Sequence, residues 1–211
     1  SQAKNLVIRE GIHNEHVIVT GNTIVDAIFL YRNNIQESTF LDKYHLDKKH
    51  YFLVTAHRPE NVDIKDKLQG IFDGLNLVYR EHRLPIIFPL HPRTKKYIDE
   101  LKLVAPSSLR FIEPLGYFDF LSAQSHALVV ITDSGGVQEE SCILGVPCVT
   151  LRENTERPET LDIGSNLLAG TDPERIQECV NVMMKRKPKW RNPFGDGTAG
   201  KKILEHLLSV L

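Results

Sequence analysis

The sequence lacks the hallmarks of several protein classes. It contains only 3 cysteines among 211 residues, Cys142, Cys148 and Cys179, with neither CxxC spacing nor a paired layout. This pattern favours buried reduced thiols over disulfides or metal ligands. No apolar run approaches the ~20 residues that span a bilayer, and the N-terminus SQAKNLVIREG lacks the sections of a signal peptide. A cytoplasmic protein without a membrane segment is therefore expected.

Charge of one sign and the common catalytic signatures are also missing. Lys and Arg total 26 against 27 Asp and Glu, so the net charge is -1, and no nucleic-acid partner is expected because a basic surface is lacking. No GxxxxGK[ST], GxSxG or HExxH segment is present, and these are the signatures of P-loop, serine-hydrolase and zinc-protease sites. HNEH at residues 13–16 has no acidic or cysteine partner at ligand spacing, so we interpret it as surface. Neither a metal nor a cofactor is expected.

What the sequence does contain is a repeated alternation of apolar runs and segments with helical periodicity. The strand-like runs are HVIVT (16–20), YFLVTA (51–56), PIIFPL (85–90), LRFIE (109–113), ALVVIT (127–132), VPCVTL (146–151) and NLLAG (166–170). Strands that are apolar throughout, alternating with amphipathic helices, predict a parallel sheet that is covered on both faces. We therefore predict an α/β fold, a Rossmann-like doubly wound parallel sheet, with residues 1–211 forming a single domain.

Polar residues directly follow six of the predicted strands. They are Gly21-Asn22, His57-Arg58, His91, Gly116-Tyr117, Ser134-Gly135-Gly136 and Glu156-Arg157. Ligands of doubly wound sheets bind outside the carboxyl ends of the strands, near the point where the strand order reverses. Any one of these segments could be a turn, but six of them along one edge of a sheet predict a site.

The segment TDSGGVQEE, residues 132–140, offers either a cradle for a phosphate or a tight turn. Successive backbone N–H groups at a helix N-terminus suit a phosphate, and glycine permits its close approach, so Ser134, Gly135 and Gly136 are candidates to hold one. Alternatively, Asp133 or Ser134 merely caps the helix.

The two carboxylates at the end of this segment favour the cradle. Glu140 lies more than one turn into the predicted helix, from where it could accept both hydroxyls of a ribose. One member of the pair Glu139 and Glu140 is expected to lie on a solvated helix face instead.

TAHRPEN (55–61) and NTERPET (154–160) supply side chains that suit an anionic ligand. His57 can donate to a phosphate oxygen or exchange a proton near neutral pH, and Arg58 and Arg157 can bind a phosphate through two N–H groups. The alternatives are a structural hydrogen bond for the His–Arg pair and an internal Arg–Glu ion pair for Arg157. The position of both segments directly after strands favours ligand binding.

The motifs together resemble those of a known family. In their order along the chain, VTGNTIVDAI, TAHRPEN, LHPR, TDSGGVQEE, LRENTERPET and NPFGDGTAG resemble the C-terminal half of the non-hydrolysing UDP-N-acetylglucosamine 2-epimerases. The resemblance implies one half of a glycosyltransferase-B-like enzyme, in which two Rossmann-type domains enclose the active site. It also implies that residues 1–15 form the inter-domain linker region, that residues 198–211 form a terminal helix, and that the N-terminal domain is absent from this chain.

The resemblance implies a reaction as well. Enzymes of this family invert C2 of UDP-GlcNAc to give UDP-ManNAc by eliminating UDP and adding it back, and the product serves cell-envelope polysaccharide biosynthesis. By motif match, Ser134, Gly135 and Gly136 hold the diphosphate. Glu140 holds the ribose hydroxyls, and Arg157 and His57 contact the phosphate and sugar side.

Further roles follow from the same resemblance. The backbone around Leu115–Phe118, with Tyr117 and Phe118, is expected to receive the uracil. His91 and Arg58 match positions that, in bacterial relatives, face a second, regulatory UDP-GlcNAc. His57 is the candidate catalytic residue, whereas the acid/base carboxylates of the family come from the N-terminal domain. The chain alone is therefore expected to bind UDP without epimerising a UDP-sugar, and the full-length enzyme is expected to form a homodimer.

Two other functions fit parts of the pattern. A nucleotide-sugar glycosyltransferase of the same architecture also uses a glycine turn for the diphosphate and a glutamate for the ribose, although the QEE and TERPET segments favour the epimerase. A stand-alone module that binds UDP-sugars without catalysis is the alternative from another class.

Overall fold

The computed structural model describes residues 2–210. The predicted linker begins at Ser1 and the predicted terminal helix ends at Leu211, and these two residues lie outside the described range. The chain divides into two compact units. The terminal unit contains the residues up to Leu30 and from Phe194 onward, and the sheet unit contains Tyr31–Pro193. Apart from Gly21 and Asn22, the polar residues that follow the predicted strands lie in the sheet unit.

Six parallel strands form the sheet. They are β1 (Phe52–Thr55), β2 (Ile86–Pro89), β3 (Leu109–Ile112), β4 (Val129–Thr132), β5 (Cys148–Thr150) and β6 (Asn166–Leu168). Their order across the sheet is β3-β2-β1-β4-β5-β6, so the chain moves outward from β1 and then returns to its other side. This is the doubly wound α/β arrangement that the apolar runs predicted.

Helices connect the strands and form the terminal unit. Those of the terminal unit are α1 (Gln2–Arg9), a 3-10 helix (Asn14–His16), α2 (Thr23–Leu30) and α12 (Ala199–Val210). Those of the sheet unit are α3 (Arg32–Gln36), α4 (Phe40–Tyr44), α5 (Pro59–Val62), α6 (Lys65–His82), α7 (Pro92–Glu100), α8 (Tyr117–His126), α9 (Gly135–Ile143), α10 (Pro158–Asp162) and α11 (Pro173–Met184). None of the helices in residues 2–210 is long and apolar enough to cross a membrane.

Two apolar cores lie on opposite faces of the sheet because successive side chains of a strand point in opposite directions. Phe52 and Val54 of β1 belong to one core, together with side chains of α6 and α11. Leu53 belongs to the other core, with side chains of α4, α8 and α9. Burial on both faces explains why the strands are apolar throughout. The three cysteines are free and buried, as predicted.

One predicted strand is wrong. HVIVT forms no strand, because residues 14–16 make a 3-10 helix and residues 17–20 have no sheet partner. Ile18 and Val19 are 48% and 54% exposed. The side chain of Asn22 accepts from the N–H of Ile24 at 2.9 Å, near the beginning of α2, which is a capping role. The polar pair that follows HVIVT therefore follows no strand of the sheet.

Helix α6 packs tightly against the segment before α11 at Gly70, where an added Cβ would clash with the carbonyl oxygen of Thr171. We expect Gly70→Ala to lower the free energy of unfolding by about 1–3 kcal/mol because a backbone group must shift. Urea unfolding measures this. Gly136→Ala in α9 is the matched control, since a Cβ there meets nothing within 4 Å, and it should be neutral or stabilising by up to ~1 kcal/mol. Equal losses in both variants would contradict the role of close packing.

Candidate functional site

The candidate residues lie at the carboxyl edge of the sheet. His57 and Arg58 follow β1, and the Ser134–Gly136 turn follows β4. These two strands are neighbours at the point where the strand order reverses, so both segments border the crevice in which doubly wound sheets bind ligands. The other candidates follow β2, β3 and β5 as His91, Tyr117, Phe118 and Arg157.

Asp133 joins the segments after β1 and β4, a role that the sequence did not reveal. Its carboxylate is fully buried. Its Oδ2 accepts from the backbone N–H of His57 at 2.9 Å and of Arg58 at 2.8 Å. The amide of Asn61 donates to the same oxygen at 3.2 Å and to the carbonyl of Leu151, beyond β5, at 2.8 Å. The buried carboxylate therefore joins the ends of two strands, and Asn61 extends the connection to the end of a third.

The N-terminus of α9 has no side-chain cap. Ser134 occupies the N-cap position without a capping hydrogen bond from its side chain, and the carboxylate of Asp133 instead accepts from the turn after β1. The alternative in which the side chain of either residue caps the helix is therefore wrong. The first N–H groups of a helix have no partner within the helix, and a Cβ added at Gly136 would meet nothing within 4 Å. The turn thus presents backbone donors and the positive end of a helix dipole to open space.

Neither glutamate of QEE lies on a solvated face, so that prediction is also wrong. Glu139 is 5% exposed, and its Oε1 lies 2.5 Å from Nε of Arg157. Arg157 therefore pairs with a glutamate of α9, whereas the alternative was an ion pair within its own loop. Glu140 accepts from Nε2 of Gln124 at 2.6 Å. Burial raises the pKa of Glu140, and the hydrogen bond from Gln124 offsets part of that rise.

An aromatic pair begins α8 beside Glu140. Tyr117 and Phe118 are partly exposed, and their ring centroids are 5.8 Å apart. Partial burial, with the negative charge of Glu140 as a second cause, raises the pKa of Tyr117. An exposed aromatic surface next to a carboxylate can stack on a planar base while the carboxylate binds hydroxyl groups.

Arg152, which the sequence analysis did not single out, organises the loop that carries Arg157. Its guanidinium makes two hydrogen bonds of 2.9 Å to the carboxylate of Glu156. This contact lowers the pKa of Glu156 from 4.5 to about 2. The contribution of the Arg152–Glu156 contact to the stability of the folded chain is therefore fully present above pH 4.5. It is lost as the pH falls through about 2. The loop lies beside the glycine turn, because a Cβ on Gly135 would be 3.6 Å from Oε2 of Glu156.

Two imidazoles lie together at the ends of β1 and β2. The ring centroids of His57 and His91 are 5.1 Å apart. Nδ1 of His91 accepts from the N–H of Arg93 at 3.1 Å, so neutral His91 carries its proton on Nε2. Desolvation, and then the neighbouring His57, lower the pKa of His91. At neutral pH the site therefore offers a neutral N–H donor at this position.

No metal site accompanies these groups in the described part of the chain, where no cluster of three or more His, Cys, Asp or Glu side chains could hold an ion. His16 and Glu15 of the HNEH segment are exposed, as predicted.

The fold and the site define a doubly wound α/β protein that has an uncapped helix N-terminus and polar side chains at the reversal of strand order. Comparison with known proteins then gives the family. The family profile described as UDP-N-acetylglucosamine 2-epimerase matches residues 1–208. The UDP-N-acetylglucosamine 2-epimerase of Methanococcus maripaludis is 47% identical over 210 residues, which are 96% of this chain and 57% of that protein. This chain belongs to the UDP-N-acetylglucosamine 2-epimerase family.

Solved structures agree with this assignment. The crystal structure of Methanocaldococcus jannaschii UDP-GlcNAc 2-epimerase in complex with UDP-GlcNAc and UDP matches with a TM-score of 0.90 and 41% identity, over 98% of this chain and 59% of that one. The S. aureus MnaA–UDP co-structure matches with a TM-score of 0.84 and 31% identity, over 99% and 57%. The chain thus spans little more than half the length of these relatives, and the prediction of one half of a glycosyltransferase-B-like enzyme is confirmed.

Proposed function

We propose that this chain is the UDP-binding half of an epimerase that interconverts UDP-GlcNAc and UDP-ManNAc by eliminating UDP and adding it back. The observation that carries the proposal is the uncapped N-terminus of α9, which faces open space at Gly136. An anion is the ligand that such a helix end binds best. The neighbouring aromatic pair and Glu140 add partners for a base and a ribose.

Each part of UDP has a partner in this arrangement. The diphosphate lies against the N–H groups of α9 and the hydroxyl of Ser134. Glu140 accepts from the ribose hydroxyls, since a carboxylate accepts up to about four hydrogen bonds and Gln124 supplies one of them. The uracil contacts the backbone before α8 and the rings of Tyr117 and Phe118.

The chemical contribution of these residues is to stabilise the leaving group. The C2 proton of the sugar is poorly acidic, so elimination depends on the charge that develops on the departing diphosphate. The positive end of the α9 dipole and the guanidinium of Arg157, whose Cζ would lie 3.9 Å from a Cβ added at Gly135, are near that charge and can stabilise it with little reorganisation. His57 is the candidate to contact the phosphate and sugar side, and the carboxylates that move the C2 proton belong to the N-terminal domain of the family.

The proposal extends to regulation and assembly. His91 and Arg58 are the candidates to contact a second, regulatory UDP-GlcNAc. A cytoplasmic location and a homodimer of the full-length enzyme follow the family. These assignments rest on the resemblance of the motifs, and a neutral N–H donor at His91 is compatible with binding a phosphate oxygen.

Calorimetric titration of the 211-residue chain with UDP tests the proposal. We expect saturable binding that weakens by about 10- to 100-fold in Glu140→Ala, because hydrogen bonds to a charged group are worth about 1.5–3 kcal/mol. Ser134→Ala should weaken binding by up to about 10-fold on the same scale. Glu178→Ala, an exposed carboxylate of α11, is the matched control and should bind as the parent does. Wild-type affinity in both site variants would refute the proposal.

The same preparation should form no UDP-ManNAc from UDP-GlcNAc, because the acid/base carboxylates lie outside it. Turnover by the chain alone would contradict this division of roles.

A further inference from the structure

The carboxylate of Asp133 contacts both the backbone and the ring of His57. Besides the N–H of His57, which it accepts through both oxygens at 2.9 and 3.1 Å, its Oδ1 lies 3.5 Å from Nδ1 of the imidazole. The carboxylate is fully buried, whereas the ring of His57 is partly exposed. Nδ1 of the ring therefore lies near a buried carboxylate, while the rest of the ring is partly exposed.

This arrangement determines which nitrogen of a neutral His57 carries the proton. A lone pair on Nδ1 would face a buried negative charge, whereas an Nδ1–H points its positive end at that charge. A neutral imidazole has one donor and one acceptor nitrogen, and its partners determine the tautomer. With the proton on Nδ1, Nε2 is the basic nitrogen.

We propose that Asp133 is a positioning residue that fixes the turn at His57 and Arg58 and holds neutral His57 as the Nδ1–H tautomer. His91 has the opposite tautomer, since its Nδ1 accepts from Arg93. The two adjacent imidazoles thus present unlike nitrogens to the crevice, an acceptor on His57 and a donor on His91. The use of that acceptor in proton exchange or in orienting the sugar rests on the proposed function, but the tautomer does not.

Other charged groups near this pair leave the assignment intact. Arg152 interacts electrostatically with Asp133, and Arg93 interacts with His91 while its guanidinium pairs with Asp63. Both arginines are permanent cations, so neither competes with Asp133 as an acceptor for the Nδ1 proton.

Nitrogen-15 NMR of the imidazole rings measures the tautomer directly. The spectrum is recorded well above the ordinary histidine range of about pH 6.5, and the chain has 9 histidines, so His57→Gln identifies the resonances. We expect Nδ1 of His57 to have the chemical shift of a protonated nitrogen and Nε2 that of an unprotonated one. The reverse pattern in the wild-type protein would overturn the proposal, without any variant of Asp133 being needed.

Asp133→Asn makes the test sharper. The amide oxygen can take over the backbone donors at the position of Oδ2, which leaves the amide NH₂ group facing Nδ1 of His57. A donor at that point favours a lone pair on Nδ1, so the two nitrogen shifts should exchange, much as an aspartate-to-asparagine change beside a catalytic histidine gives the wrong tautomer elsewhere. Asp73→Asn is the matched control, because Asp73 lies on the exposed side of α6 and accepts from Gln69.

The outcomes separate this inference from the proposed function. Unchanged His57 shifts in folded Asp133→Asn would show that the carboxylate does not select the tautomer, and an exchange in Asp73→Asn would do the same. If Asp133→Asn shows exchanged nitrogen shifts and also binds UDP more weakly, the tautomer of His57 is linked to UDP binding. If the chain binds no UDP but His57 behaves as expected, the proposed function fails while the positioning role of Asp133 stands.

Discussion

Replacing Gly136 with aspartate is expected to weaken UDP binding by at least about 100-fold, equivalent to about 2.7 kcal/mol or more. The new carboxylate would enter the open space beside the N-terminus of α9 and meet the diphosphate there. Two like charges at 4 Å repel by about 4 kcal/mol at an effective dielectric constant of 20. Stability should not fall, because a negative side chain in the first turn of a helix stabilises it by about 0.3–1 kcal/mol.

The experiment pairs calorimetry with urea unfolding of the same protein. Gly136→Asn has nearly the same shape without the charge, so it separates repulsion from bulk, and we expect it to lose only about 10-fold in affinity, near 1.4 kcal/mol. Retention of wild-type affinity by the aspartate variant would place the diphosphate elsewhere. If the aspartate variant unfolds at a lower urea concentration than the wild type, the loss of binding results from a destabilised fold and not from charge repulsion.

Replacing Asp133 with alanine is expected to lower the free energy of unfolding by about 2–5 kcal/mol. The change leaves the backbone N–H groups of His57 and Arg58 without their acceptor, and each buried unsatisfied donor costs about 1–3 kcal/mol. Total stabilities of domains are about 5–15 kcal/mol, so a large share would be lost.

Urea unfolding measures this loss as well. Asp73→Ala on the exposed side of α6 is the control, and surface substitutions of this kind usually stay within about 0.5 kcal/mol. Asp133→Asn should lie between the two, because its amide oxygen still accepts hydrogen bonds. A loss below about 1 kcal/mol in Asp133→Ala would mean that water replaces the carboxylate at little cost.

The local pattern of apolar residues was enough to predict the parallel sheet, but not which apolar runs belong to it. Runs such as ALVVIT are apolar at every position because β4 is buried on both faces. HVIVT has the same local character, yet it has no partner strand and leaves Ile18 and Val19 exposed. Pairing depends on neighbours that are distant in sequence, so a short apolar segment alone does not distinguish a strand from an extended loop.

In the candidate site too, features that depend on neighbouring residues could be predicted, whereas contacts between residues distant in sequence could not. The edge that carries His57 and Gly136 could be predicted, because polar residues and glycines follow the strands directly. The role of Asp133 could not, because its partners His57 and Arg58 lie 76 and 75 positions away. From the sequence, a local cap was only an alternative role for Asp133, and the pairing of buried Glu139 with an arginine from another loop was not predicted.

The neighbouring positions of β1 and β4 also constrain the order of folding. β1 is the first strand of the chain, but its pairing with β4 joins residues up to 77 positions apart, as in the contact between Thr55 and Thr132. Closing so long a loop costs entropy before any contact repays it, which makes parallel pairing of this kind slow. A chain emerging from the ribosome therefore cannot bring the Ser134–Gly136 turn beside the segment after β1 until β4 and that turn have been synthesised. Under the proposed function, UDP can stabilise the finished sheet but cannot stabilise an intermediate that still lacks β4 and the turn after it.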